Sequence, residues 1–209
     1  MKKNNLYKKR SKILTCAKSI IKFDGWNDKL ILSISDNLKV PSENILILFP
    51  KGYLDLLKFY ISEEEERFIQ SINKLNFNNM RVHEKIIRMI MTSIKNNQNE
   101  KELIRKTFNA LIRPKNIKYG LNLLYNIVDE IWYFAGDKST DFNYYTKRII
   151  LAKIYSFTLI YWLNNEDKNL SKTKKFLTQS LENTLKIKTI KKDLSKKIQK
   201  SYNKFKLAS

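Results

Sequence analysis

The sequence predicts an all-α chain, on three observations. Only Gly25, Gly52, Gly120 and Gly136, with Pro41, Pro50 and Pro114, punctuate 209 residues, so long stretches lack the two residue types that break helices. Apolar residues recur at three- and four-residue spacing along most of the chain. Cys16 is the single cysteine, which rules out a disulfide framework and fits a reducing compartment, with the thiol a small core residue. At 24.9 kDa the chain is long enough for one sizeable core and short for two full domains.

The elements follow in order. Ile13, Ala17, Ile20 and Ile21 give a first helix over Lys12–Phe23, stopped at Asp24–Gly25. Asp28–Leu38 is a second short helix, and Pro41–Ser42 opens a third that runs through Leu48 and stops at Pro50. Three short helices in this space suggest a helix-turn-helix unit. Gly52–Tyr60 begins a fourth, and the acidic run Glu63–Glu66 reads as the solvated start of the next. Arg81–Ile94 and Glu102–Ile112 supply two more.

Lys118–Phe134 then carries Leu121, Leu124, Val128 and Ile131 at helical period and ends at Gly136. A long helix follows at once. Ser139 or Thr140 is placed to cap it, and Asp141 falls in its first turn, where a negative charge favours the helix dipole by about 0.3–1 kcal/mol. The junction is a tight corner holding Trp132, Tyr133, Phe134, Phe142, Tyr144 and Tyr145. That is more aromatic surface than a short turn buries, so part of it should be exposed. The apolar run Ile149–Leu163 contains Lys153 and is shorter than the ~20 residues of a membrane span, which makes it a buried core helix.

Chemistry-bearing motifs are scarce. His83 is the single histidine, which removes histidine-based metal cages and triads and leaves a lone surface imidazole. Asp129, Glu130, Asp137 and Asp141 cluster in sequence, but helix capping, pairing with Lys147 or Arg148, and partner contact explain them more simply than paired-carboxylate catalysis. No phosphate-binding glycine loop, CxxC or HExxH is present. A non-enzyme without a cofactor is expected.

Charge points to the partner class. With 41 Lys plus Arg against 20 Asp plus Glu, the net +21 favours an anionic surface, nucleic acid or membrane. In the tail, Ile187, Ile190, Leu194, Ile198, Tyr202 and Phe205 fall within about 120° of a helical wheel. Lysines surround them, with Asp193 the one acid between Lys186 and Lys206. This suits a helix lying among lipid headgroups, each lysine worth ~1 kcal/mol against anionic lipid; a dimer-interface or core-capping helix is the alternative. The membrane-facing positions are Phe176, Leu177, Leu181, Leu185, Ile187, Ile190, Leu194 and Ile198. No secretory signal is expected, because Lys18 and Lys22 interrupt the apolar segment after the basic start.

Gly136-Asp-Lys-Ser-Thr-Asp-Phe-Asn-Tyr-Tyr-Thr-Lys-Arg148, preceded by Val128-Asp-Glu-Ile-Trp132, resembles the signature of the coenzyme Q nine family of ubiquinone-biosynthesis proteins. Phe23-Asp-Gly-Trp26, Phe49-Pro-Lys-Gly52, Asp55-Leu-Leu57, Arg81-Val82 and Thr173-Lys-Lys-Phe-Leu177 follow in the family's order, so the resemblance spans residues 12 to 188. It implies a tetracycline-repressor-like helical bundle with an N-terminal helix-turn-helix remnant (1–60), a helical ligand-binding core (61–172) and a basic amphipathic C-terminal region (173–209). It further implies a homodimer that binds isoprenoid quinone lipid at a membrane and a partner, the di-iron demethoxyubiquinone hydroxylase coenzyme Q seven. The partner patch transfers onto Ile131, Trp132, Asp137, Asp141, Tyr144 and Tyr145. Two positions depart: the family usually has tryptophan at Tyr144, and arginine is common at His83. The expected location is the bacterial cytoplasm, peripheral to the inner membrane, or the matrix side of the mitochondrial inner membrane in a eukaryote.

The rival expectation is a repressor-type DNA reader. The recognition position argues against it: in Ser42-Glu-Asn-Ile-Leu-Ile-Leu-Phe49 the residues before the phenylalanine, Leu46, Ile47 and Leu48, cannot bond base edges or phosphates, and Glu43 would repel the backbone.

Overall fold

The computed structural model describes residues 2–140 and 142–184, and among these every regular element is helical. The order is α1 (Lys2–Asp24), α2 (Leu30–Leu38), α3 (Ser42–Leu48), α4 (Tyr53–Asn73), α5 (Val82–Asn96), α6 (Lys101–Leu111), α7 (Ile117–Ala135) and α8 (Phe142–Asn164). One 3-10 turn, Gln98–Glu100, leads into α6, and a last helix, α9, is described over residues 171–184. The chain divides into two compact units, Met1–Arg148 and Ile149–Ser209.

The first unit begins with a head made of α1 to α3. From the sequence, α1 starts at Lys12; it begins instead at Lys2, because its basic early turns find distant partners. The Tyr7 hydroxyl donates to Glu63 at 2.9 Å, and the Arg10 guanidinium lies over the rings of Phe49 and Phe59 at 4.8 and 4.5 Å. Between α2 and α3, Lys39 turns the chain in the left-handed region at φ 52°, and its backbone N–H donates to the Ser35 carbonyl. Ile21, Trp26, Ile34, Phe49 and Leu56 form the buried interior of the head, joined by Leu103 and Ala110 of α6.

Three polar contacts tie this head to α6. The Trp26 indole donates to the Thr107 hydroxyl at 3.0 Å, Lys106 donates to the Phe23 carbonyl at 2.8 Å, and Arg113 donates to the Trp26 carbonyl at 3.0 Å. The two cations satisfy carbonyls at the end of α1, where a helix leaves acceptors and partial negative charge.

The acidic run Glu63–Glu66 does not start a new helix. It lies in the middle of α4, which continues to Asn73. The reason is again long-range partnering: Glu64 pairs with Lys18 and Arg67, and Glu65 accepts from Asn126 of α7 at 2.8 Å. Burial pushes the Glu64 carboxyl above its ordinary range, with Arg67 and Lys18 pulling the other way. Against α4, α5 and α6 packs α7. The approach of α7 to α6 is close, since a Cβ on Gly120 would lie 3.2 Å from Leu111.

In the second unit, Leu151, Ile154 and Trp162 of α8 are buried, as expected of a core helix, whereas Ile149 and Phe157 are exposed. Tyr161 of α8 and Phe176 of α9 stack face to face, with centroids 4.5 Å apart and planes 7° off parallel. No helix among the described residues is long and apolar enough to cross a membrane.

Candidate functional site

The corner between α7 and α8 is built by the backbone first. Gly136 takes φ 88°, its N–H donates to Tyr133 O at 3.0 Å, and the next N–H, of Asp137, donates to Trp132 O at 2.9 Å. These two bonds are the Schellman arrangement that ends a helix on a left-handed glycine. They also point the Asp137 side chain back toward the start of α8.

Four charges close on one another there. Asp137, its side chain 2 % exposed, accepts from Lys147 Nζ at 2.6 Å, from the Ser139 hydroxyl at 2.8 Å and from Arg148 Nη1 at 3.3 Å. Asp129 accepts from Arg148 Nε at 2.6 Å. Burial works against the Asp137 carboxylate, yet the hydrogen bonds from Lys147 and Ser139 hold its pKa at about 2. Arg148 is raised further above its ordinary value, burial notwithstanding, by its bond to Asp129 and that carboxylate's charge. Two cations and two anions thus neutralise each other beneath the corner. The Ser139 hydroxyl donates to Asp137, and Asp141 lies outside the described residues.

Aromatic rings stand on this base. Tyr133 and Tyr145 are 72 % and 63 % exposed, so the expectation of uncovered aromatic surface holds. Trp132 is half-buried with Lys147 Nζ 5.5 Å above its ring, and its indole N–H has no hydrogen-bond partner among the described residues. Ile131 is fully buried and supports the corner from within, while Asp137 is enclosed by its own ion pairs. Of the expected patch residues, Tyr145 is exposed, and Trp132 and Tyr144 are both half-buried. Tyr133 joins Tyr145, and its signal in the sequence was only membership of the aromatic run.

Among the expected membrane-facing residues, Leu177 is fully buried, Phe176 is engaged with Tyr161 and Leu181 is half-exposed. Leu185, Ile187, Ile190, Leu194 and Ile198 lie outside the described residues. No group of three or more His, Cys, Asp or Glu among the described residues is arranged to hold a metal ion. His83 is half-buried in the first turn of α5, and burial raises the Cys16 thiol pKa.

The fold is that of the tetracycline-repressor type. A TetR transcriptional regulator from Nitrosomonas europaea superposes with a TM-score of 0.67 at 17 % identity, covering 83 % of this chain and 95 % of that one. By sequence the chain is similar to the COQ9 proteins, in line with the resemblance its signature carries. The COQ9 family model matches residues 117–188, the corner included. The ubiquinone biosynthesis protein COQ9, mitochondrial, of Bos taurus is 28 % identical over 187 residues, which is 83 % of this chain and 56 % of that protein. The human protein of the same name is 27 % identical over 188 residues. COQ9-A of Xenopus laevis is 39 % identical over a shorter stretch of 75 residues, covering 36 % of this chain and 24 % of that one. The chain thus spans a little over half the length of the mammalian relatives.

Proposed function

We propose that this chain is a non-catalytic accessory protein of ubiquinone biosynthesis, which binds isoprenoid quinone intermediates at a membrane and presents them to the di-iron demethoxyubiquinone hydroxylase. One observation carries this reading. The stretch matched by the COQ9 family is also the stretch where Trp132, Tyr133 and Tyr145 stand on a self-neutralised base. Such a surface suits a protein partner. Aromatic side chains supply large contact area at low entropic cost, and the charges beneath demand no counter-charge from the partner.

Replacing Trp132 and Tyr145 together by alanine is expected to abolish association with the hydroxylase, measured by co-purification and by titration, with unchanged helical content by circular dichroism. Retained association in the folded variant counts against the corner as the docking site.

The membrane part of the proposal rests on the basic amphipathic pattern at Ile187, Ile190, Leu194 and Ile198. Leu194→Asp with Ile198→Asp should release the protein from vesicles containing anionic lipid, read by flotation. The lipid part is tested by mass spectrometry of lipid extracted from protein purified from its own cell; recovery of no isoprenoid quinone or precursor removes it. A homodimer is the assembly that this reading takes.

A further inference from the structure

We propose that Tyr144 is a positioning residue, held by a hydroxyl chain Tyr125–Tyr144–Asp129 beneath Arg148, and that it acts on the docking surface by fixing the Tyr145 ring. The inference rests on the reading of the corner as a docking site and changes what one of its expected contact residues does. It also brings in Tyr125, one turn before Asp129 on α7, which the signature does not contain.

Tyr144 is half-buried, and its polar atom and its ring are both engaged. Its hydroxyl donates to Asp129 Oδ1 at 3.1 Å and lies 3.1 Å from the Tyr125 hydroxyl. A phenol has one proton. With the Tyr144 proton directed at the carboxylate, the Tyr125 hydroxyl is the donor of the second bond. The chain therefore runs in one direction, from Tyr125 through Tyr144 to Asp129, whose same oxygen also accepts from Arg148 Nε.

The ring is as fully engaged as the hydroxyl. Arg148 Cζ lies 3.3 Å from the Tyr144 centroid, so the guanidinium covers one face. The same residue's Nη1 donates to the Tyr144 carbonyl at 3.2 Å. The Tyr145 ring meets that of Tyr144 in a T-shaped contact at 5.2 Å and 77°. Hydroxyl, one ring face, ring edge and backbone carbonyl are each engaged by another residue of the chain. Tyr145, in contrast, is exposed, and among the described residues its aromatic contact is with the ring so held.

The hydroxyl bond with Tyr125, burial and the bond to Asp129 together push the Tyr144 phenol up to about 12. Tyr144 accordingly keeps its proton at neutral and mildly alkaline pH. Tyr125→Phe keeps its ring and removes one link, whereas Tyr144→Phe keeps its ring and removes both.

The test has a partner-free arm and a partner arm. In the first, fluorotyrosine is placed at position 145 and its fluorine resonance is recorded in the otherwise native chain and in Tyr125→Phe, Tyr144→Phe and the distant control Tyr7→Phe. The expected result is a resonance that shifts or broadens in the first two and is unmoved in the control. An unmoved resonance in both Tyr125→Phe and Tyr144→Phe overturns the proposal.

In the second arm, hydroxylase affinity is expected to fall about three- to tenfold in either single variant, the size of one lost hydrogen bond. The double variant should fall no further than the weaker single one, because both substitutions break one chain. Affinity equal to that of the native chain in Tyr125→Phe, or losses that multiply in the double variant, also overturns it. If the Trp132 and Tyr145 alanine variant still binds the hydroxylase, the docking reading fails, and the fluorine arm still decides the role of Tyr144.

Discussion

Asp137 shows how one side chain gathers a site. Its carboxylate is enclosed and accepts from three donors, with a pKa of about 2 against an ordinary 3.8. As pH falls, the unfolded chain takes up this proton first. The stabilisation is therefore complete above about pH 5 and is lost as pH drops through about 4 to 2. Asp137→Asn should be less stable at pH 7 by about 1–3 kcal/mol, the worth of hydrogen bonds to charged groups. The two urea-unfolding stabilities should converge near pH 2, and a constant gap down to that pH would sink the assignment. The sequence made the pairing of these carboxylates with Lys147 or Arg148 legible, since acids and bases flank one short corner. It did not say which pairs with which, because that depends on the direction in which Gly136 turns the chain. Nor did it reveal that Tyr144 is engaged on several sides, since Tyr125 lies outside the signature.

The elements were most legible where their signals are local. Gly25, Pro50 and Gly136 mark ends that the helices respect, because a left-handed turn or a missing N–H acts on the backbone where it stands. The start of α1 and the continuity of α4 through Glu63–Glu66 were misread, and both depend on partners far along the chain. Lys18 sits 3.5 Å from Glu64 and 3.6 Å from Glu100, a link that no window of sequence contains. The corner itself gives an element-scale prediction. Nothing lies within 4 Å of a Cβ built on Gly136, so Gly136→Ala meets only backbone strain at φ 88°. A loss of about 1 kcal/mol is expected, read by thermal unfolding. A loss several times larger would mean that α8 no longer starts where it does.

Taken whole, the molecule carries its positive charge unevenly along the sequence. The net charge is +21, yet between Asp24 and Lys51 the lysines Lys29, Lys39 and Lys51 face four acids, Asp24, Asp28, Asp36 and Glu43. Helix α3 itself carries no base, and its Ile47 is 74 % exposed. A reader of phosphates and base edges needs the opposite. Duplex DNA should therefore be bound without sequence preference, if at all, with binding that fades steeply as salt rises; a sequence-selective mobility shift would restore the regulator reading. The repressor-type architecture was recoverable from the family signature, while the seating of the head on α6 was not, because Thr107, Lys106 and Arg113 carry no local pattern that announces it. That seating bears on how the chain matures. The head's interior includes Leu103 and Ala110, and the carbonyls closing α1 await Lys106 and Arg113. A growing polypeptide released only as far as residue 60 lacks the floor on which its first three helices close, so this N-terminal part is completed only once residues up to 113 have emerged.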